Sequence, residues 1–286
     1  MAEKSPQNNN HGSNEGTPEL KFCNAENEKE KTDILDDTAV ALLVEDPEVE
    51  GDQLQFLPPP PPELKLSSTS ITNVAGYRNF RVEMLAHCLE SCIRPNDGEI
   101  DMDSYLDSFR EICKLLDNLG TVIRAYIGGD IRQKISLIKE YKAGQYGSFY
   151  NTIEKMVTFE KRNRIHQNNV EENGSRTVLR LHRSLHFVFE FLRGLNKLNS
   201  DEGLGSMGRE VYNMTLAQNH PWAYKKIARL ALSTLGGKKS LVANFHDGSM
   251  TASQLHDVIE TVVTAATRVH NQCQTIYETH NFLDLP

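Results

Sequence analysis

Three arginines recur on one stripe of an otherwise apolar segment. In residues 174–195, GSRTVLRLHRSLHFVFEFLRGL, Arg176, Arg180 and Arg183 stand four and three apart, the spacing that makes side chains neighbours on a helix. Apolar residues from Val178 to Leu195 cover several faces around them, the pattern of a buried helix. Like charges at this spacing repel by roughly a few tenths of a kcal/mol. A buried cation without a partner costs several kcal/mol more. The chain must therefore bring anions to the stripe, turn it to solvent, or bind an anionic ligand there. The last solution, beside so much apolar surface, points to an amphiphile with an acidic head.

Two further groups carry polar chemistry. Asp130 and Lys134 are four apart and share a helix face, where the ordinary reading is a surface ion pair. His220-Pro221-Trp222 sets an imidazole beside the only tryptophan, an arrangement that would equally suit core packing. Asp97-Gly98-Glu99-Ile100-Asp101 imitates the middle of a calcium loop. Aligned on Gly98, however, it lacks three oxygen ligands, including the bidentate glutamate, so it reads as an interhelical turn. The chain carries no nucleophile elbow, P-loop, HExxH or evident nucleophile–base set. No catalytic residue, metal site or cofactor is expected.

The elements that would hold these groups are helical throughout. The spacing predicts a helix over 80–93, stopped by Pro95-Asn96-Asp97-Gly98. A second, capped by Asp101 or Asp103, runs through Tyr105, Phe109, Ile112, Leu115 and Leu119. Gly128-Gly129 should punctuate the chain before a helix over 130–141. Helices over 148–165, the arginine segment, 207–235 with a bend at Pro221, 240–245 and 251–280 complete the reading. Cys88 and Cys92 lie four apart in an apolar pattern and read as small core residues. The five cysteines are odd in number, contain no CxxC and fit a reducing compartment. No strand alternation appears, and the fold class is all-α with about eight helices.

Charge divides the chain. Residues 1–76 hold 15 acidic and 5 basic side chains, a net of −10 within a total of −8, which leaves the remainder at about +2. The region 1–76 is expected to be a disordered, acidic tail, followed by a helical domain over 77–286. Ala39-Val-Ala-Leu-Leu-Val44 reads as a transient helix or docking motif. Leu57 and the prolines to Pro62 read as a polyproline II spacer or a ligand for proline-reading domains. A slightly basic domain lacks the excess expected of a nucleic-acid binder. No signal peptide and no stretch near the ~20 residues of a membrane span are found, so a cytosolic protein is expected.

Several stretches together resemble the glycolipid transfer protein superfamily: the arginine segment, Leu119-Gly120-Thr121 upstream of Asp130-Ile-Arg-Gln-Lys134, Tyr212-Asn213 before Asn219-His220-Pro221-Trp222, and the closing Leu283-Asp-Leu-Pro286. The likeness spans residues 77–286 and implies a two-layer α-helical sandwich that opens to take two lipid chains. By position, Asp130 would accept from a ceramide amide and hydroxyl. Lys134, Arg176 and Arg180 would hold a phosphate, His220 would donate to the acyl-amide carbonyl, and Trp222 would touch the membrane. Superfamily members that carry sugar-headed lipids place tryptophan at the Arg176 position and tend to have asparagine at that of Lys134. The resemblance thus implies ceramide 1-phosphate as ligand, carried without chemistry by a cytosolic monomer that touches membranes transiently.

A ceramide-type lipid carries ~30 chain carbons, each buried CH₂ being worth about 0.8 kcal/mol, so a carrier must sheathe the chains. The apolar runs at 187–195, 230–235 and 258–266 would form that sleeve. Three alternatives stand beside this reading: a lipid sensor recruited through its tail, a carrier of neutral glycosphingolipids, and a lipid-modifying enzyme using His220 as base. The tail's charge opposes anionic membranes. Removal of residues 1–70 is expected to strengthen binding to phosphatidylserine vesicles at low salt, where screening is weakest; a vesicle co-sedimentation series showing equal affinity would refute this.

Overall fold

Apolar residues at helical spacing generate nearly all of the observed structure. The computed structural model describes residues 80–119, 122–167, 173–199, 202–245 and 250–285. The expected tail, with its proline run and the 39–44 patch, lies outside the described residues, as do Gly120, Thr121 and Pro286. Nine α-helices are present among them: α1 Val82–Glu90, α2 Met102–Asp117, α3 Gly129–Ala143, α4 Ile153–Arg162, α5 Gly174–Lys197, α6 Leu204–Thr215, α7 Trp222–Ser233, α8 Lys238–Val242 and α9 Ala252–His280. The described residues contain isolated β-bridges but no strand.

Helix α5 is central. It packs along the long α9 and against α3, α4 and α6, while α1 lies on α9 and α7 on α6. Its buried positions include Val178, Leu181, Leu185, Leu192 and Leu195, which join Ile259, Val262, Val269 and Tyr277 of α9 in one core. Local chemistry fixes the ends. Asp101 caps α2 by accepting from Ser104 N at 2.9 Å, as expected. Thr251 and Gln254 form a reciprocal capping box at the start of α9. Asn281, at φ 56°, closes α9 in the left-handed conformation, and the buried Phe282 follows it. The Pro95–Gly98 stretch is a turn with Gly98 at φ +72°, held by Gly98 N donating to the Arg94 carbonyl.

Two expectations are corrected. Gly128-Gly129 does not break the chain: a π-helical turn, Ile123–Gly128, runs directly into α3 with both glycines in right-handed helical geometry. Residues 207–235 are not one bent helix. α6 ends at Thr215, a 3₁₀ turn spans Ala217–Asn219, and His220 is extended at φ −104°, ψ 133°. The proline ring disfavours helical backbone at the residue before it, so Pro221 separates two helices and leaves His220 in their connection. Cys92, Cys113 and Cys273 are buried and Cys88 partly so, all as free thiols.

The contact between α5 and α9 contains stacked imidazoles. His182 is buried, lies parallel to His270 at 4.1 Å between ring centroids, and meets Gln274 Oε1 through Nε2 at 2.8 Å. Burial first, then the neighbouring His270, push its pKa down to about 3. The ring is therefore neutral in the folded protein, whereas in the unfolded chain it binds a proton near pH 6.5. Its contribution is complete above that pH and falls by about 1.4 kcal/mol per pH unit below it. The melting temperature is expected to drop steadily from pH 7 to pH 5, with a shallower slope in His182→Gln; equal slopes by circular dichroism would contradict the assignment.

Candidate functional site

Helix α5 enters its first turn under tight control. Asn173 caps it, its Oδ1 accepting from Arg176 N at 3.0 Å. The buried Glu160 of α4 accepts from Gly174 N at 2.8 Å and Ser175 N at 2.9 Å. Tyr277 of α9 donates to the Ser175 carbonyl at 2.7 Å. This end of α5 presents Arg176, only 4% exposed, whose Nη2 donates to the His166 carbonyl at 3.0 Å. One turn on, Arg180 is half-buried. Arg183, also half-buried, donates to the Leu283 carbonyl at 2.7 Å. Burial and the charge of Arg180 lower the Arg183 pKa, while Asp284 opposes that shift.

Helix α3 packs on α5 and supplies the other charges. Its buried face holds Ile131, Lys134, Ile135 and Ile138. Lys134 is 7% exposed and ion-paired to Asp130, which stays half-exposed. The pair expected on a water-facing helix is thus asymmetric: the ammonium is inside and the carboxylate is at the edge.

His220 joins these helices to α6 and α7. Its Nδ1 lies 2.9 Å from the Tyr212 hydroxyl. Burial lowers the His220 pKa; Asp130 raises it, whereas Lys134, Lys225 and Arg183 lower it further. His220 therefore lies within electrostatic reach of Asp130, Lys134 and Arg183. Burial pushes the Tyr212 phenol up to about 12, so it keeps its proton. In the tautomer where Tyr212 donates to Nδ1, the imidazole proton sits on Nε2 and can be offered to a carbonyl. Trp222, 39% exposed, opens α7 with Lys226 Nζ 5.7 Å from its ring centroid. Tyr224 and Met214 are exposed large apolar residues as well.

The structure thus places Asp130 and Lys134 on α3, Arg176 and Arg180 on the adjoining α5, and His220 within the electrostatic field of that pair. Trp222 stands two residues further on. Behind the charges lies apolar packing. A Cβ added at Gly208 of α6 would meet Leu232 at 3.0 Å, Phe191 at 3.4 Å and Leu235 at 3.7 Å, so two of the three runs read as a sleeve converge there. Among the described residues no group of three or more His, Cys, Asp or Glu is placed to hold a metal ion. Glu160, Tyr212 and the Leu283 carbonyl escaped the sequence reading. Tyr212 and Leu283 lay within quoted motifs but were given no such role, and Glu160 and Leu283 work through contacts distant in sequence.

Human ceramide-1-phosphate transfer protein is 28% identical over 211 residues, which cover 72% of this chain and 97% of the human one. The crystal structure of that human protein in complex with 2:0 ceramide-1-phosphate superposes with a TM-score of 0.66 at 27% identity, covering 73% of this chain and all of the other. The apo form of the mouse protein gives a TM-score of 0.68 at 26% identity over the same share of each. The all-α fold is therefore the one the sequence led us to expect. The model of the family described as "Glycolipid transfer protein (GLTP)" matches residues 100–247, more than half of the 286, and the chain belongs to that family of lipid transfer proteins.

Proposed function

We propose that the chain carries ceramide 1-phosphate between membranes without altering it chemically. The observation that carries this reading is the pair Lys134 and Arg176, two cations held almost out of water on packed helices. Such placement is costly unless anions or hydrogen-bond acceptors face the charges, and a phosphate offers both. Arginine binds it through paired donors, lysine as a point charge. The relatives whose names state that lipid, one of them solved with it, support the same choice.

Each residue then has a role. Lys134, Arg176 and Arg180 hold the phosphate. Asp130, paired to Lys134 yet open to solvent, accepts from the amide and hydroxyl of the sphingoid backbone, which a glycerolipid lacks. His220, neutral because it is buried, donates Nε2–H to the acyl-amide carbonyl. No general base is needed, because no bond breaks; the chain acts as a carrier and not as an enzyme. Among the described residues no helix is long and apolar enough to cross a membrane. Contact with the bilayer is transient and made through Trp222, whose amphipathic ring suits the interface, with Lys225 and Lys226 facing anionic head groups. The protein works from the cytosol.

Arg180→Leu tests the head-group assignment. It removes one charge-assisted contact, worth about 1.5–3 kcal/mol, on a helix that keeps its caps. Transfer of fluorescent ceramide 1-phosphate between vesicles is expected to fall by about tenfold or more, with helicity by circular dichroism unchanged. Wild-type transfer by this variant would refute the proposed site.

A further inference from the structure

Glu160 sits in the last turn of α4, fully buried, and its carboxylate takes three hydrogen bonds. Tyr150 donates at 2.8 Å, and the Gly174 and Ser175 amides at 2.8 and 2.9 Å. A buried carboxylate is costly unless its oxygens are satisfied, and these donors meet that need. Two of them belong to the first turn of α5, where the helix dipole also favours an anion. The fit is close: a Cβ at Gly174 would stand 2.8 Å from Glu160 Oε1 and 2.7 Å from Met156 Sδ. Glycine is required here for proximity, not for its backbone angles.

The same residue acts a second time through its backbone. The Glu160 carbonyl accepts from His166 Nδ1 at 3.3 Å, and the His166 carbonyl in turn accepts from Arg176 Nη2 at 3.0 Å. The His166 ring also lies 4.6 Å from that of the buried Phe282. Arg176 is therefore tied at both ends to one residue. Its backbone is set by the side chain of Glu160, through the first turn of α5, and its guanidinium is set by the Glu160 carbonyl, through His166.

We infer that Glu160 is the positioning residue for the Arg176 guanidinium and so a determinant of head-group selectivity; the selectivity part rests on the carrier reading above. A displacement of about 1 Å in a binding group can cost orders of magnitude, and a fully buried arginine stem transmits shifts of its helix end directly. Glu160 makes no contact with lipid in this scheme. Its effect is confined to the phosphate, whereas the chains see the remainder of α5 and its apolar neighbours.

Glu160→Gln separates this role from simple stabilisation. The amide loses the negative charge and sets a donor against the Gly174, Ser175 or Tyr150 donors. In the full lipid-free chain, NMR of the arginine Nε–Hε groups is expected to show a shifted Arg176 signal. The Arg193 signal, paired to Glu190 toward the other end of α5, should not move. Affinity for ceramide 1-phosphate should fall about tenfold, the loss of one well-aligned charge-assisted bond, with affinity for neutral ceramide of the same chains preserved. An unmoved Arg176 signal overturns the inference whatever the lipids do, and so does an equal loss for both lipids. A wild-type chain that binds the two lipids equally overturns the carrier reading instead, while the Arg176 signal still decides the positioning. Should Glu160→Gln not fold, Tyr150→Phe removes one donor from the same carboxylate. It should give the same changes at smaller size, and their absence would overturn the inference equally.

Discussion

Keeping Lys134 and Arg176 charged while almost fully enclosed is the constraint on which this structure turns. An ammonium or guanidinium brought out of water loses several kcal/mol of solvation, and partial compensation leaves a net cost. The fold compensates by different means at each position. Lys134 has the carboxylate of Asp130. Arg176 donates to the His166 carbonyl, and Arg183 donates to that of Leu283, with Asp284 near. Burial lowers the pKa of the adjoining His220; Asp130 opposes that shift, and Lys134, Lys225 and Arg183 add to it. An electropositive environment of this kind, enclosed by apolar packing, favours a ligand that is anionic at one end and greasy at the other.

Holding such charges still requires a rigid frame, and the frame is α5. Both of its ends and both of its long faces are engaged, by α4 at the start, α6 toward the finish, and α3 and α9 along its sides. Its first turn contains the buried polar residues Ser175 and Thr177, each with a hydrogen-bonded backbone or hydroxyl. Residues 281–283 are part of the same frame. Asn281 turns the backbone left-handed, Phe282 is buried against His166, and the next carbonyl meets Arg183. Phe282 and Leu283 thus close on the arginine stripe.

Much of this was legible in the chain because it is periodic. Ten apolar positions around three arginines define α5, and Asp101 announces the cap of α2. What was misread was local or tertiary. The 207–235 pattern keeps helical spacing across Pro221, so periodicity hid a break that the steric rule for the residue before proline dictates. The paired glycines at 128 and 129 suggested a stop, but a π-turn and α3 pass through them because their neighbours supply continuous hydrogen bonding. Glu160 carries no signal in the spacing of apolar residues. Its burial arises only when α5 packs its first turn against α4, a contact no spacing encodes. Arg183 belongs to the stripe by spacing, yet its guanidinium is taken by the carbonyl of Leu283, a hundred residues away.

The asymmetry of the Asp130–Lys134 pair would let one site, as proposed, both hold a phosphate and recognise what lies next to it. On an exposed helix such a pair contributes little, since water screens both members. In a fully buried pair the carboxylate would be consumed by its cation. Here the ammonium is enclosed and the carboxylate is 45% exposed along its side chain. In the proposed site, one oxygen holds Lys134 while the other accepts from a ligand's amide or hydroxyl. Under the proposed function, charge at this site would select for phosphate, while the second Asp130 oxygen would select for a backbone carrying N–H and O–H donors. The combination would specify a phosphorylated sphingolipid more narrowly than either the cations or the carboxylate alone.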